Sequence, residues 1–194
     1  THNYSEAGTY QVKITAAIKT LKEGGTSDIT SKCVSVLLGD SVESVYSYYN
    51  HNSVFTGCKK LSYFRCGAKL NFIGVGAFNG CTALQTFVFP TNSSITFGIG
   101  RNDYSSTFCN CTALKNVAIN SVASIPKYFF VKCSALGSVY IPKTVKSIDY
   151  LAFSECGSIV INYQGTEAEW NAITKVSGWN SNTVITEINY NQAQ

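Results

Sequence analysis

The stretch Ile73-Gly74-Val75-Gly76-Ala77-Phe78-Asn79-Gly80-Cys81-Thr82-Ala83-Leu84 decides the fold, because its core spacing returns along the chain. That spacing is an aromatic three residues before a cysteine and an aliphatic three residues after it. The other copies are Phe55/Cys58/Leu61, Phe108/Cys111/Leu114, Phe130/Cys133/Leu136 and Phe153/Cys156/Ile159, with successive cysteines 23, 30, 22 and 23 residues apart. Periods of about 20–50 residues belong to stacked repeat proteins. A unit this short cannot bury its apolar face alone, so it must stack on its neighbours and bring equivalent positions into columns. We expect one column of Phe55, Phe78, Phe108, Phe130 and Phe153 beside another of Cys58, Cys81, Cys111, Cys133 and Cys156.

Working outward from the motif, each unit continues with a short alternating run, as in Leu84-Gln85-Thr86-Phe87-Val88-Phe89-Pro90 and Leu136-Gly137-Ser138-Val139-Tyr140-Ile141-Pro142. Alternation of β-branched and aromatic residues closed by proline predicts a short strand with one buried face. A second apolar pair at i, i+3 follows, as Val42/Val45, Leu70/Ile73, Val122/Ile125 and Val145/Ile148. We read Cys33 as a sixth member of the cysteine column, opening a degenerate unit that runs through Val34-Ser35-Val36-Leu37-Leu38. Adjacent strands lie about 5 Å apart, a spacing that permits disulfides. Buried free cysteine is nevertheless the expectation for a column residue chosen for its fit.

The run Ile73 to Leu84, followed by Phe87, Phe89 and Pro90, resembles the BspA-like leucine-rich repeats of bacterial surface proteins. The resemblance covers about residues 33 to 190, and several registers agree across five units. Tyr163-Gln164-Gly165-Thr166-Glu167-Ala168-Glu169-Trp170-Asn171-Ala172-Ile173 is similar to the segment that commonly closes such arrays. The resemblance implies a leucine-rich-repeat solenoid of the β-rich, right-handed β/α superhelix type, with about five to six short-strand coils. It also implies a bacterial, secreted or cell-surface setting and a host or bacterial surface protein as partner.

The ends are read as caps. Val12, Ile14, Ala17, Ile18 and Leu21 before Glu23-Gly24-Gly25 predict an N-terminal capping helix. Thr166 and Glu169 form a capping box that predicts a C-terminal helix, followed by a strand over Val184 to Ile188. The organisation expected is a single repeat domain over 1–194. It divides into an N-terminal tail and cap (1–30), the repeats (31–163) and a C-terminal cap of helix plus strand (164–194). The chain opens at Thr1-His2-Asn3 without a methionine, which we read as an export signal already removed.

Composition narrows the function. Charged residues make up 13 % and the net charge is +4 with scattered lysines, so there is no basic stripe to track phosphates and no nucleic-acid partner is expected. No stretch approaches the roughly 20 apolar residues that a spanning helix needs. His2 and His51 are the two histidines, and Cys109-x-Cys111 has the wrong spacing for a zinc knuckle, so no metal, cofactor or catalytic residue is expected.

Partner binding is expected where the repeat is irregular. One insertion carries Tyr46, Tyr48, Tyr49 and His51, and a second carries Arg101, Asn102, Asp103 and Tyr104. Both fall after the second apolar pair and before the column Phe, so they should leave the stack on one flank about 10 Å apart. Loops on a rigid repeat tend to carry binding, and Tyr and Arg are favoured contact types. The outward face of the strands, with Tyr63, Arg65, Asn116 and Tyr140, is the second candidate surface. The sequence therefore points to a non-enzymatic exported binding or adhesion module. The alternatives are a carbohydrate-binding module using the loop tyrosines, or a structural spacer that displays another domain.

Overall fold

The computed structural model describes residues 10–14, 20–21, 32–45, 54–90, 94–98, 106–120 and 122–193. These residues wind into a parallel β-solenoid. Each coil gives one strand to a large sheet and one to a short ladder. The large sheet has eight strands in the order β1 (Tyr10–Ile14), β3 (Cys33–Leu38), β5 (Tyr63–Arg65), β7 (Thr86–Val88), β9 (Asn116–Ala118), β11 (Ser138–Ile141), β13 (Gly157–Tyr163) and β15 (Thr183–Asn189). The short strands form two ladders, β2 (Thr20–Leu21), β4 (Ser44–Val45), β6 (Phe72–Ile73) and β8 (Thr96–Phe97), then β10 (Ser124–Ile125), β12 (Ser147–Ile148) and β14 (Thr174–Lys175). The apolar pairs read from the sequence supply buried ladder residues, with Val45, Ile73, Ile125 and Ile148 all inside.

Phe55, Phe78, Phe108, Phe130 and Phe153 stack with ring centroids 5.5, 5.5, 5.4 and 5.3 Å apart. The interplanar angle grows from 2° to 27° along the column, so the rings follow the twist of the coils. Phe64 and Phe87, the buried centres of β5 and β7, meet the column edge-on at 4.6 to 5.1 Å, a geometry that the ring quadrupole favours.

The cysteines earn their place by size and by a weak donor. Cys81, Cys111, Cys133 and Cys156 each donate S–H to the carbonyl of the phenylalanine one coil back, Phe55, Phe78, Phe108 and Phe130, at 3.0 to 3.2 Å. All eight cysteines are buried and carry free thiols.

The turn holding this motif needs left-handed backbone after each column Phe and, in three coils, before it as well. Two residues after each column Phe, φ is +72° at Gly57, +73° at Gly80, +60° at Asn110, +62° at Lys132 and +58° at Glu155. Two residues before it, Gly76, Tyr128 and Leu151 are also left-handed. Glycine accepts this freely, whereas an L side chain costs about 1–2 kcal/mol.

Two expectations are corrected. Residues 10–14 and 20–21 are strands in place of the expected capping helix: β1 and β2 pair in parallel with β3 and β4, so a coil precedes the one we placed first. The signal was present in the alternation Tyr10, Val12, Ile14, which has the period of a strand. Cys33 does not belong to the cysteine column. Ser35 pairs with Tyr63, which puts Cys33 opposite Leu61, at the aliphatic position of its coil. The expected C-terminal helix and strand are both present, α1 (Glu167–Ala172) between β13 and β14, and β15 at the end of the large sheet.

Helix α1 has the expected capping box. Thr166 N donates to Glu169 Oε2 at 2.8 Å, and Glu169 N donates to Thr166 Oγ1 at 3.3 Å. Trp170 on α1 is buried against Tyr163, with ring centroids 5.4 Å apart. In the last turn Trp179 packs edge-on against Phe153, and the Thr183 hydroxyl donates to Phe153 O as the thiols do one coil earlier.

Candidate functional site

The outward face of the large sheet carries two columns. One runs Ser35, Tyr63, Thr86, Asn116, Ser138, and the other runs Leu37, Arg65, Val88, Ala118, Tyr140. Alternation forces this arrangement, since Phe64, Phe87, Val117 and Val139 between them point into the core. Tyr63 and Asn116 therefore share one column, and Arg65 and Tyr140 share the other. Val88 is 36 % exposed, an apolar contact point in the middle of the face.

Two depressions lie along this face. The smaller, about 390 Å³, is lined by Thr86, Val88, Asn116, Ala118, Asn120, Ser138 and Tyr140, over Phe87, Phe89 and Val117. It exists because Ala118 is short between Val88 and Tyr140. The larger, about 780 Å³, runs from Leu37 through Asp40 and Arg65 to Val88 and Pro90. The two share Val88 and Phe89. Thus Asn116 and Tyr140 come together in the smaller depression and Arg65 lines the larger, while Tyr63 lines neither.

The electrostatics differ between them. Arg65 and Asp40 are both exposed in the larger depression, and Asp40 Oδ1 is tied down by Ala68 N at 2.9 Å. The smaller has no charged side chain among the described residues, and partial burial raises the Tyr140 phenol. Further along the face, Asn189 Nδ2 donates to Asn162 Oδ1 at 3.2 Å and Asn162 Nδ2 donates to Ser138 Oγ at 2.9 Å.

The loop candidates Tyr46, Tyr48, Tyr49, His51, Arg101, Asn102, Asp103 and Tyr104 lie outside the described residues. Their insertions follow β4 and β8, which are two places apart in one ladder, or about 10 Å at the usual strand spacing. On the turns, Tyr128 and Tyr150 pair edge-on at 6.1 Å, an aromatic contact that the sequence reading missed.

Six of the buried thiols lack the character of nucleophiles. Burial pushes Cys33 up to about 11 and Cys156 up to about 12, and it holds Cys66, Cys111 and Cys133 well above the usual thiol range. For Cys81 a hydrogen bond with the Cys58 thiol acts first and burial second, in the same direction. Reactive cysteines are instead exposed and depressed. Among the described residues no group of three or more His, Cys, Asp or Glu side chains could hold a metal ion, and no helix is long and apolar enough to cross a membrane.

The sequence pattern of the BspA type leucine rich repeat region matches residues 10–97 and 30–160, in six copies. The chain belongs to the BspA-type leucine-rich repeat family. The match begins at residue 10, in agreement with the coil formed by β1 and β2. A comparison with curated proteins gives no match. Among solved structures the chain is similar to a leucine-rich repeat protein of Treponema pallidum, at 27 % identity and a TM-score of 0.55, covering 68 % of this chain and 60 % of that one. It is also similar to a leucine-rich repeat protein of Bacteroides ovatus, at 16 % identity and a TM-score of 0.51, covering 93 % and 60 %, a likeness of fold. A leucine-rich cell surface protein of Faecalibacterium prausnitzii matches at 19 % identity and a TM-score of 0.47, covering 87 % and 63 %. The BspA-type chain thus spans about three-fifths of the length of each solved structure it matches.

Proposed function

We propose that this BspA-type chain is a non-enzymatic, exported cell-surface module that docks a partner protein on the outward face of its large sheet. The supporting observation is the larger depression, which joins exposed Arg65 and Asp40 to exposed Val88. A rigid repeat with an apolar contact point beside an exposed Arg head suits protein docking, where a few apolar and Arg contacts dominate the energy. The family supports a surface setting, and the raised thiols argue against nucleophilic chemistry.

The test is capture of extracellular-matrix and cell-surface proteins on the immobilised chain, with Val88→Asp and Arg65→Glu as variants. Lys146→Glu, on the short ladder's side, is the control. Loss of a hot-spot contact costs about 2 kcal/mol or more, so partner affinity should fall about 30-fold in the face variants and hold in the control. Equal capture by all four proteins rejects the sheet face as the docking surface.

A further inference from the structure

Beneath the smaller depression lies a residue that the repeat does not otherwise use there. Extending the register of Val88, Ala118 and Tyr140 by two residues puts Asn120 between Pro90 and Pro142. All three are buried, Asn120 being 6 % exposed, and Asn120 Oδ1 has no hydrogen-bond partner among the described residues. The flanking prolines have no N–H to give it. An unpaired buried amide oxygen lowers stability, and a proline at this point would remove that loss. Residues that lower stability in this way concentrate at sites kept for another purpose.

The chemistry around Asn120 says what that purpose is. Thr86, Asn116 and Ser138 supply neutral hydroxyl and amide groups, Tyr140 supplies a phenol ring, and Val88 with Ala118 supplies a short apolar floor. Ser138 Oγ already accepts from Asn162, which leaves its O–H to donate. We infer that this depression binds a neutral sugar residue, whose hydroxyls meet these groups and the Asn120 amide, which must turn outward to reach them, while its C–H face lies on Val88, Ala118 and the Tyr140 ring. A volume of about 390 Å³ falls at the small-ligand end of the usual pocket range. The absence of a charged lining residue disfavours sialic acids and uronic acids, because a carboxylate there would lose water with no counter-charge. This inference goes beyond the protein-docking reading and does not depend on it.

The experiment is saturation-transfer NMR on the whole chain with methyl β-galactoside, methyl α-mannoside and N-acetylglucosamine, and with N-acetylneuraminic acid as the charged probe. At least one neutral sugar should bind saturably with Kd of about 1 mM, the weak end of the affinity scale, and the charged probe should not. Asn120→Pro, which installs the residue of the adjoining coils, should melt at or above the wild-type temperature yet bind at least about tenfold more weakly. Ala118→Tyr fills the depression with the residue of the next strand and should abolish binding, which covers the case in which Asn120→Pro fails to fold. The inference is overturned if none of the three neutral sugars binds, if the charged probe binds equally, or if both variants bind as wild type. Protein capture that stays sensitive to Val88→Asp while no sugar binds would overturn this inference and leave the docking reading standing.

Discussion

Raising the pH should unfold this protein through its thiols. Cys33, Cys66, Cys81, Cys111, Cys133 and Cys156 all have their pKa raised in the folded chain, by burial or by a neighbouring thiol. A thiol whose folded value lies above its unfolded value of about 8.5 keeps its full contribution below that pH. The contribution is lost as pH rises toward the folded value, which is about 11 for Cys33 and about 12 for Cys156. One pH unit above the unfolded value, each such thiol costs on the order of 1 kcal/mol, so the six together cost on the order of several kcal/mol near pH 9.5. That is comparable with the whole stability of a typical domain, about 5–15 kcal/mol. Tyr140 and Tyr163, also raised, add to the loss only above about pH 10.

The assay is urea unfolding followed by circular dichroism at about pH 7.5, 8.5 and 9.5, with a phosphine reductant to keep the thiols free, and the expected slope is steepest over the last unit. Cys66→Ala removes one titrating thiol that has no phenylalanine carbonyl to bond, and should flatten that slope by about a sixth. Stability at about pH 9.5 within about 2 kcal/mol of that at about pH 7.5 would refute the claim that these thiols are held protonated inside the stack.

Two further outcomes test the columns and the turns. Phe78→Ala takes a ring out of the middle of the phenylalanine stack and should cost about 3–5 kcal/mol, read as a lower urea midpoint; an unchanged midpoint contradicts the column. Glu155→Gly relieves a left-handed side chain at the position that Gly57 and Gly80 occupy in their own coils, and should stabilise by about 0.5–1 kcal/mol in thermal melts.

The repeating columns were legible because every member is fixed from both sides. A ring at Phe78 must match Phe55 and Phe108, and a thiol at Cys111 must reach the Phe78 carbonyl, so the same residue returns and the spacing shows. The first coil was missed because its motif residues are absent and only the strand alternation of Tyr10, Val12 and Ile14 marks it. Cys33 was misplaced because a cysteine upstream of an apolar run looks like the column in sequence, while the register of Ser35 with Tyr63 shows that it stands where Leu61 stands. The outward columns were legible by alternation, including Arg65 and Tyr140, but the depressions depend on a difference in size, Ala118 between Val88 and Tyr140. No periodicity encodes such a difference.

Departures from the repeat therefore carry the information about function, provided that those with a structural cause are set aside. Thr183 departs from cysteine, yet its hydroxyl reaches the Phe153 carbonyl, so the ladder continues with a different donor. Trp179 brings its ring onto Phe153 at the last turn of the column, where a larger aromatic can cover what the stack leaves open. Lys132 and Glu155 depart from glycine but hold the same left-handed turn and face outward at the strain of one residue each. Asn120 departs from the proline of the two adjoining coils, and here no partner compensates among the described residues: the backbone of those coils suits proline, and the amide oxygen is buried without a donor. A residue that leaves a polar atom unpaired inside a stack whose neighbours on both sides carry proline, and that lines an uncharged depression of the described sheet face, is the departure that the proposed sugar site accounts for.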